Sequence, residues 1–182
     1  MTWPAPNPWK LKYAARDPIP WPVLSPSPCR ACPYAVLPPE KIISKEFKLL
    51  TSKETEIINI SDSVIKFVQE SGVNTGIIFV MSKHTTTGIT VNEGLPDIEQ
   101  DIRDFLLRIA PDDHPYKHAR YLHSDGQMAI NAPSHIRGSL LGFEVFFPVE
   151  DGEILRGGRQ TIYFVELDGP QERTYFLKIM GE

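Results

Sequence analysis

The sequence predicts an α+β fold, mostly antiparallel β-sheet with two main helices, occupying residues 41–182. Three observations carry this. Apolar runs of strand length outnumber runs with helical spacing. They fall in the order β-β-α-β-β-α, then a long polar stretch, then three more strands, which is not a βαβ array. The first 40 residues differ in character, holding 11 of the 17 prolines, all three tryptophans and both cysteines.

Residues 1–40 read as a Pro-rich, disordered extension, because proline fixes φ and removes a donor. Cys29-Arg-Ala-Cys32 is a lone CxxC. A structural zinc site needs four ligands, and a redox CxxC opens a helix after a strand, so these read as incidental thiols. With no other cysteine, a disulfide framework is not expected, and the expected location is cytoplasmic.

Residues 42–50 and 56–60 read as strands joined by a polar turn at 51–55. Ser61 has N-cap chemistry and Gly72 supplies a stop, which predicts a helix over 62–71 with Val64, Ile65, Phe67 and Val68 on one face. Residues 75–81 and 88–92 read as buried strands. Pro96 suits the first position of a second helix, in which Ile98, Ile102, Phe105, Leu106 and Ile109 recur at helical spacing and which Pro111 ends. Residues 112–134 read as an extended polar loop, of a length more often functional than idle. Strands follow at 143–147, 162–167 and 173–180. The turn Asp168-Gly169-Pro170-Gln171 predicts that the last two pair as a hairpin.

The net charge of −4 and pI of about 5.7 argue against phosphate-tracking nucleic-acid binding, which needs a basic surface. They leave room for a small cationic pocket. No apolar run is long enough for a membrane-spanning helix.

Three of the five histidines stand in unusual company. His84 opens His84-Thr-Thr-Thr-Gly-Ile-Thr90 between two predicted strands. His123 lies in His123-Ser-Asp-Gly126, and His135 in Asn131-Ala-Pro-Ser-His-Ile-Arg137. Three neutral imidazoles with an open position describe a catalytic zinc site, although spacings of 39 and 12 residues fit no compact zinc motif. Satisfied polar or general-base histidines are the other reading. His114 and His118 read as surface residues. Glu93, just after a buried strand, is a candidate base or orienting carboxylate. Asp97 and Asp101 share a helix face, where they serve the helix dipole or face a cation. Arg137, and less strongly Arg159, could bind phosphate or carboxylate through two N–H groups. Walker, nucleophile-elbow, dinucleotide and H-E-x-x-H motifs are absent.

Read together, the blocks His84–Glu93, Asp97 and Asp101, His123, Asn131–Gly142 and Gly158–Pro170 resemble the YjbQ-like family. The resemblance runs from about residue 42 to the C-terminus. It implies a curved antiparallel sheet or sandwich and a homotrimer with sites near subunit interfaces. It also implies a His-rich pocket for a divalent metal, zinc or magnesium, held by His84, His123 and His135. Ser124 stands where the family usually has Asn, and Pro133 where many members have a further His. Gln160 and Glu166 match polar positions of the last block. The activity implied is that of a secondary thiamine-phosphate synthase, joining a pyrimidine diphosphate to a thiazole phosphate. The resulting expectation is a metal-assisted transferase or hydrolase acting on a small phosphorylated substrate, with His84, Glu93, Asp97 and Arg137 as catalytic groups. The alternative is a non-catalytic trimeric protein that binds a small ligand or metal.

Overall fold

The computed structural model describes residues 39–118, 120–122 and 127–182. The expected Pro-rich extension, the CxxC pair and His123 lie outside the described residues.

Alternating apolar residues divide ten strands between two main sheets and one small hairpin. The five-stranded sheet joins β1 (Lys41–Leu50), β10 (Glu172–Gly181), β3 (Gly76–Ser82), β7 (Glu144–Glu150) and β8 (Glu153–Ile154), in that order. The three-stranded sheet joins β2 (Glu56–Asn59), β9 (Gln160–Glu166) and β4 (Thr87–Glu93). All pairings are antiparallel. Ile78, Val80, Leu177 and Ile179 of the larger sheet meet Ile89, Ile162 and Phe164 of the smaller in one core. Side chains alternate along a strand, so β9 also presents Tyr163 and Val165 to a second core on its other face.

Helix α1 (Ser61–Ser71) closes the first core with Val64, Phe67 and Val68. Its stop is as expected: Gly72 adopts φ 62°, a left-handed conformation that a side chain would strain. Its start differs. Asn59 Oδ1 accepts the Ser61 N–H at 2.9 Å, and the Ser61 hydroxyl accepts the Ile162 N–H at 2.9 Å, tying the helix to β9 instead of capping it. Helix α2 (Pro96–Ile109) has Pro at its start and Asp97 and Glu99 in its first turn, as expected. Leu106 fills the second core, while Phe105 and Ile109 remain exposed.

Two expectations are corrected. The segment 112–134, read as an extended loop, carries a hairpin, β5 (Arg120–Leu122) with β6 (Gln127–Ala129), and at its end opens a third helix, α3 (Ala132–Leu141), which the sequence reading leaves out. Interior Gly138 hides that helix in the sequence, since glycine disfavours helix. Tertiary packing requires it: a Cβ there would lie 3.1 Å from the carbonyl oxygens of Thr85 and Thr87. Second, β9 and β10 are consecutive but do not pair. Each belongs to a different sheet, so residues 167–171 cross between sheets.

Three such crossings converge. Links β1–β2, β3–β4 and β9–β10 all leave one sheet for the other, and Glu56, Glu166 and Thr87 stand opposite one another in register. Backbone hydrogen bonds Thr51 N–Gln171 O, Gly169 N–Glu54 O and Leu167 N–Thr86 O stitch the crossings into one corner.

Candidate functional site

This corner collects the molecule's polar chemistry. Glu166 ends β9 fully buried, and Arg173, near the start of β10, is 4% exposed. Arg173 Nε donates to Glu166 Oε2 and Nη2 to Glu166 Oε1, both at 2.6 Å. The same Nη2 donates to Thr86 Oγ1 at 3.0 Å. Glu166 further accepts the Thr51 hydroxyl at 3.0 Å and the backbone N–H groups of Leu167 and Asp168 at 2.9 Å. Burial would push this carboxyl up. The Arg173 guanidinium, the Asp168 N–H and the Thr51 hydroxyl outweigh burial and hold it below the usual carboxylate range.

His84 sits beside this pair, on the β3–β4 crossing. Its Nε2 accepts the Thr174 N–H at 3.0 Å, so the neutral ring carries its proton on Nδ1. Its backbone is held as well. Ser82 Oγ accepts the His84 N–H at 3.2 Å, and the Thr87 hydroxyl donates to His84 O at 3.2 Å. Burial depresses the imidazole below its ordinary value, and the Arg173 charge acts the same way against an opposing Glu166. The result is a neutral imidazole with one nitrogen fixed. With Nε2 accepting an N–H and the proton on Nδ1, the neutral ring as placed offers a metal no lone pair, so this placement does not fit the ligand role that the resemblance implies for His84.

Helix α3 roofs the corner. Ser134 Oγ donates to Leu167 O at 2.5 Å, and Asn131 Nδ2 to Asp168 Oδ2 at 2.7 Å. Between roof and crossing lies a cavity of about 300 Å³, lined by Lys83, His84, Thr85, Ser139 and Phe143 among others. Its lining carries one imidazole, four hydroxyls and one cation, Lys83, whose ammonium pairs with Glu46 of β1 at 2.5 Å.

His135 lines a different cavity, of about 370 Å³, with Tyr116, His118 and Ile136. It precedes Ser139 by one helical turn, so α3 is a wall of both cavities. The His118 and His135 rings meet edge to face with centroids 5.3 Å apart. The structure thereby gives His118, read from the sequence as a surface residue, a partner on α3. No group of three or more His, Cys, Asp or Glu able to hold a metal occurs among the described residues.

The remaining sequence candidates lie elsewhere. Glu93 ends β4, whose other end adjoins His84, so the two are about 20 Å apart within one chain. Its Oε1 accepts from Arg159 Nη1 at 2.6 Å in an exposed pair. Asp97 Oδ1 accepts the neighbouring Ile98 N–H at 3.0 Å, and Asp101 borders an apolar groove between α2 and α3. Gln160 Oε1 accepts the Gly157 N–H in a turn. Arg137 is 2% exposed. Its Nε and Nη2 donate to Ala110 O at 3.1 and 2.6 Å, and Nη2 to Asp112 Oδ1 at 2.6 Å. This placement braces the end of α2 and leaves the expected anion-binding role without support. Sequence reasoning missed Arg173 and Thr51, and named Thr86 only as part of the His84 block and Glu166 only as a polar position of the last block. A charge ending the apolar run Ile162–Val165 was the available signal, since buried carboxylates are almost always paired.

Comparison with known proteins follows the same boundaries. The family model described as UPF0047 protein YjbQ-like matches residues 45–182. The chain is 36% identical over 138 residues to the UPF0047 protein YugU of Bacillus subtilis, covering 75% of this chain and 98% of that one. It is 36% identical over 135 residues to a UPF0047 protein of Archaeoglobus fulgidus, covering 74% and 99%. Among solved structures, a YbjQ-like protein of unknown function from Sulfolobus solfataricus superposes with TM-score 0.72 at 31% identity, covering 78% of this chain and 99% of that one. An uncharacterised protein of the yjbq/upf0047 family from Clostridium acetobutylicum gives TM-score 0.66 at 40% identity, covering 74% and 98%.

Proposed function

Because this chain belongs to the UPF0047 YjbQ-like family, we propose that it is a small-molecule enzyme that binds a phosphorylated substrate in the His84 cavity. The observation that carries this is the cavity lining: hydroxyls, a neutral imidazole N–H and Lys83, whose ammonium pairs with Glu46 and would have to exchange that partner for the substrate's phosphate. The reaction class is the one the family resemblance implies, a transferase of the thiamine-phosphate synthase type. A bond forms between the pyrimidine methylene and the thiazole nitrogen, and the carbon–oxygen bond to diphosphate breaks. Hydrogen bonds aimed at the departing diphosphate gain strength as its charge develops. His84 supplies one through Nδ1–H, while Thr85 and Ser139 supply hydroxyls and Lys83 a cation.

A divalent metal, zinc or magnesium, belongs to the same reading. The described residues suit zinc better, because the His118–His135 pair offers nitrogen donors and magnesium prefers oxygen. When bound, such a metal would neutralise phosphate charge or lower the pKa of a water. His118 and His135 would offer two nitrogen donors in a cavity separate from that of His84, and His123 lies outside the described residues.

A homotrimer completes the proposal. A closed ring of three needs two different complementary patches on each chain. The outer face of the larger sheet exposes Ile42, Ile77 and Phe146, and the α2–α3 surface exposes Phe105 and Leu140. Packing one against the other in successive copies would bury both.

Calorimetric titration with inorganic diphosphate, and its release from a pyrimidine diphosphate in the presence of a thiazole phosphate, tests the assignment. The wild type should bind and turn over. His84→Ala, which removes the Nδ1–H donor, should bind about 10-fold more weakly, since a hydrogen bond to a charged group is worth about 1.5 kcal/mol. Binding without His84-dependent turnover would assign a ligand-binding role. No binding by the wild type, or equal binding by both, would overturn the site.

A further inference from the structure

We propose that the buried Arg173–Glu166 pair is a positioning device that locks His84 as the Nδ1–H tautomer, pointing its donor away from the strand that holds Nε2. The inference rests on the His84 cavity as the binding site, but it concerns a property of the imidazole that can be measured by itself.

The geometry runs through one guanidinium. Arg173 spans the end of β9, through both oxygens of Glu166, and the β3–β4 crossing, through Thr86 Oγ1. Thr86 is two residues from His84, and Thr174, whose N–H holds His84 Nε2, is the next residue after Arg173. Fixing Arg173 therefore fixes both the segment that carries the ring and the donor that orients it. The donor is a backbone N–H, which cannot rotate to become an acceptor. No hydrogen bond to Nδ1 forms among the described residues, which leaves that nitrogen for a ligand.

Holding the corner together does not by itself call for charge. Apolar residues of similar volume commonly replace a buried ion pair without loss of stability, because desolvation cancels much of the attraction. Here the carboxylate accepts five hydrogen bonds, from Thr51, Leu167, Asp168 and twice from Arg173, so its geometry is set on every side. Such a group gives a directional frame that an apolar contact cannot. The charged groups that act on His84 are Arg173, Glu166 and Lys83, and the first two offset each other at the ring.

The test uses the full chain labelled with ¹⁵N-histidine and read by long-range ¹H–¹⁵N spectra, with His84→Asn assigning the signal among five histidines. In the wild type, His84 should be the Nδ1–H form. In the double variant Glu166→Gln/Arg173→Met, and in Arg173→Lys, which keeps the charge but lacks the planar fork, the ring should become a mixture of tautomers. Diphosphate affinity should fall in proportion to the remaining Nδ1–H fraction, about 2-fold for an equal mixture. A wild-type ring protonated on Nε2 overturns the proposal. So does a wild-type tautomer retained in a folded variant, checked by a cooperative thermal melt. If neither variant folds, the pair serves the fold and the proposal falls. Failure of the wild type to bind diphosphate, with a tautomer that still responds, would instead remove the cavity reading and leave the positioning role intact.

Discussion

Arg137 gives the sharpest separation between a structural and a binding role. Its guanidinium is the hydrogen-bond partner of Ala110 O at the end of α2, and Ala110 is 1% exposed. Arg137→Met keeps most of the aliphatic stem and removes the donors. The stranded carbonyl should then cost about 1–3 kcal/mol. Releasing Asp112 adds little, because its side chain is 59% exposed and regains water. Arg137→Ala also empties the space of a fully buried side chain, so its total should reach about 3–5 kcal/mol. With a urea slope of about 1–3 kcal/mol per molar, a loss of ~2 kcal/mol moves the unfolding midpoint by roughly 1 M. Urea unfolding of both variants, followed by circular dichroism, reads the order wild type, Met, Ala. An unchanged midpoint for Arg137→Met together with lost diphosphate affinity would refute the reasoning and restore Arg137 as a free anion-binding group.

Other consequences can be measured directly. Gly88→Ala would place a Cβ 2.7 Å from Leu141 Cβ, so α3 must shift, at a cost of about 1–3 kcal/mol in stability and a weaker diphosphate site. The folded state favours neutral His84, whose value lies below the ordinary 6.5, so the unfolded chain takes up the proton first. Stability present above pH 6.5 should therefore decline as pH falls through 6.5, and this decline should be shallower in His84→Asn. Glu166 is depressed below 4.5, so a separate loss should follow under that pH and be smaller in Glu166→Gln, with Glu46 and Glu56, lowered in the same direction, supplying the remainder. Zinc retained on dialysis should drop in both His118→Ala and His135→Ala, and metal analysis showing no difference from wild type would dismiss the pair as a ligand set. If the exposed sheet face builds the proposed trimer, wild type should scatter as three chains and Phe146→Glu, which places a charge on that face, as one; a single-chain wild type would overturn the trimer.

The sequence alone determined the elements whose own residues decide their conformation. Gly72 stops α1, Pro96 starts α2, and alternating or continuous apolar runs set the strands, because these signals act over a few residues. The motif blocks identified the family and marked His84. Only the tertiary structure decided how strands pair. A turn such as Asp168–Gln171 looks the same whether it joins neighbours in one sheet or crosses between two, and the choice depends on burying both faces of β9. It also decided α3, whose interior Gly138 answers to carbonyl oxygens some fifty residues earlier in the chain. The site divides in the same way. Residue types named histidines and arginines, but buried Arg137 braces a helix, and Arg173 ties Glu166 of β9 to Thr86 beside His84. Whether an arginine braces the end of α2 or joins the strands around His84 is fixed by the groups its guanidinium reaches, and that is a property of the folded chain.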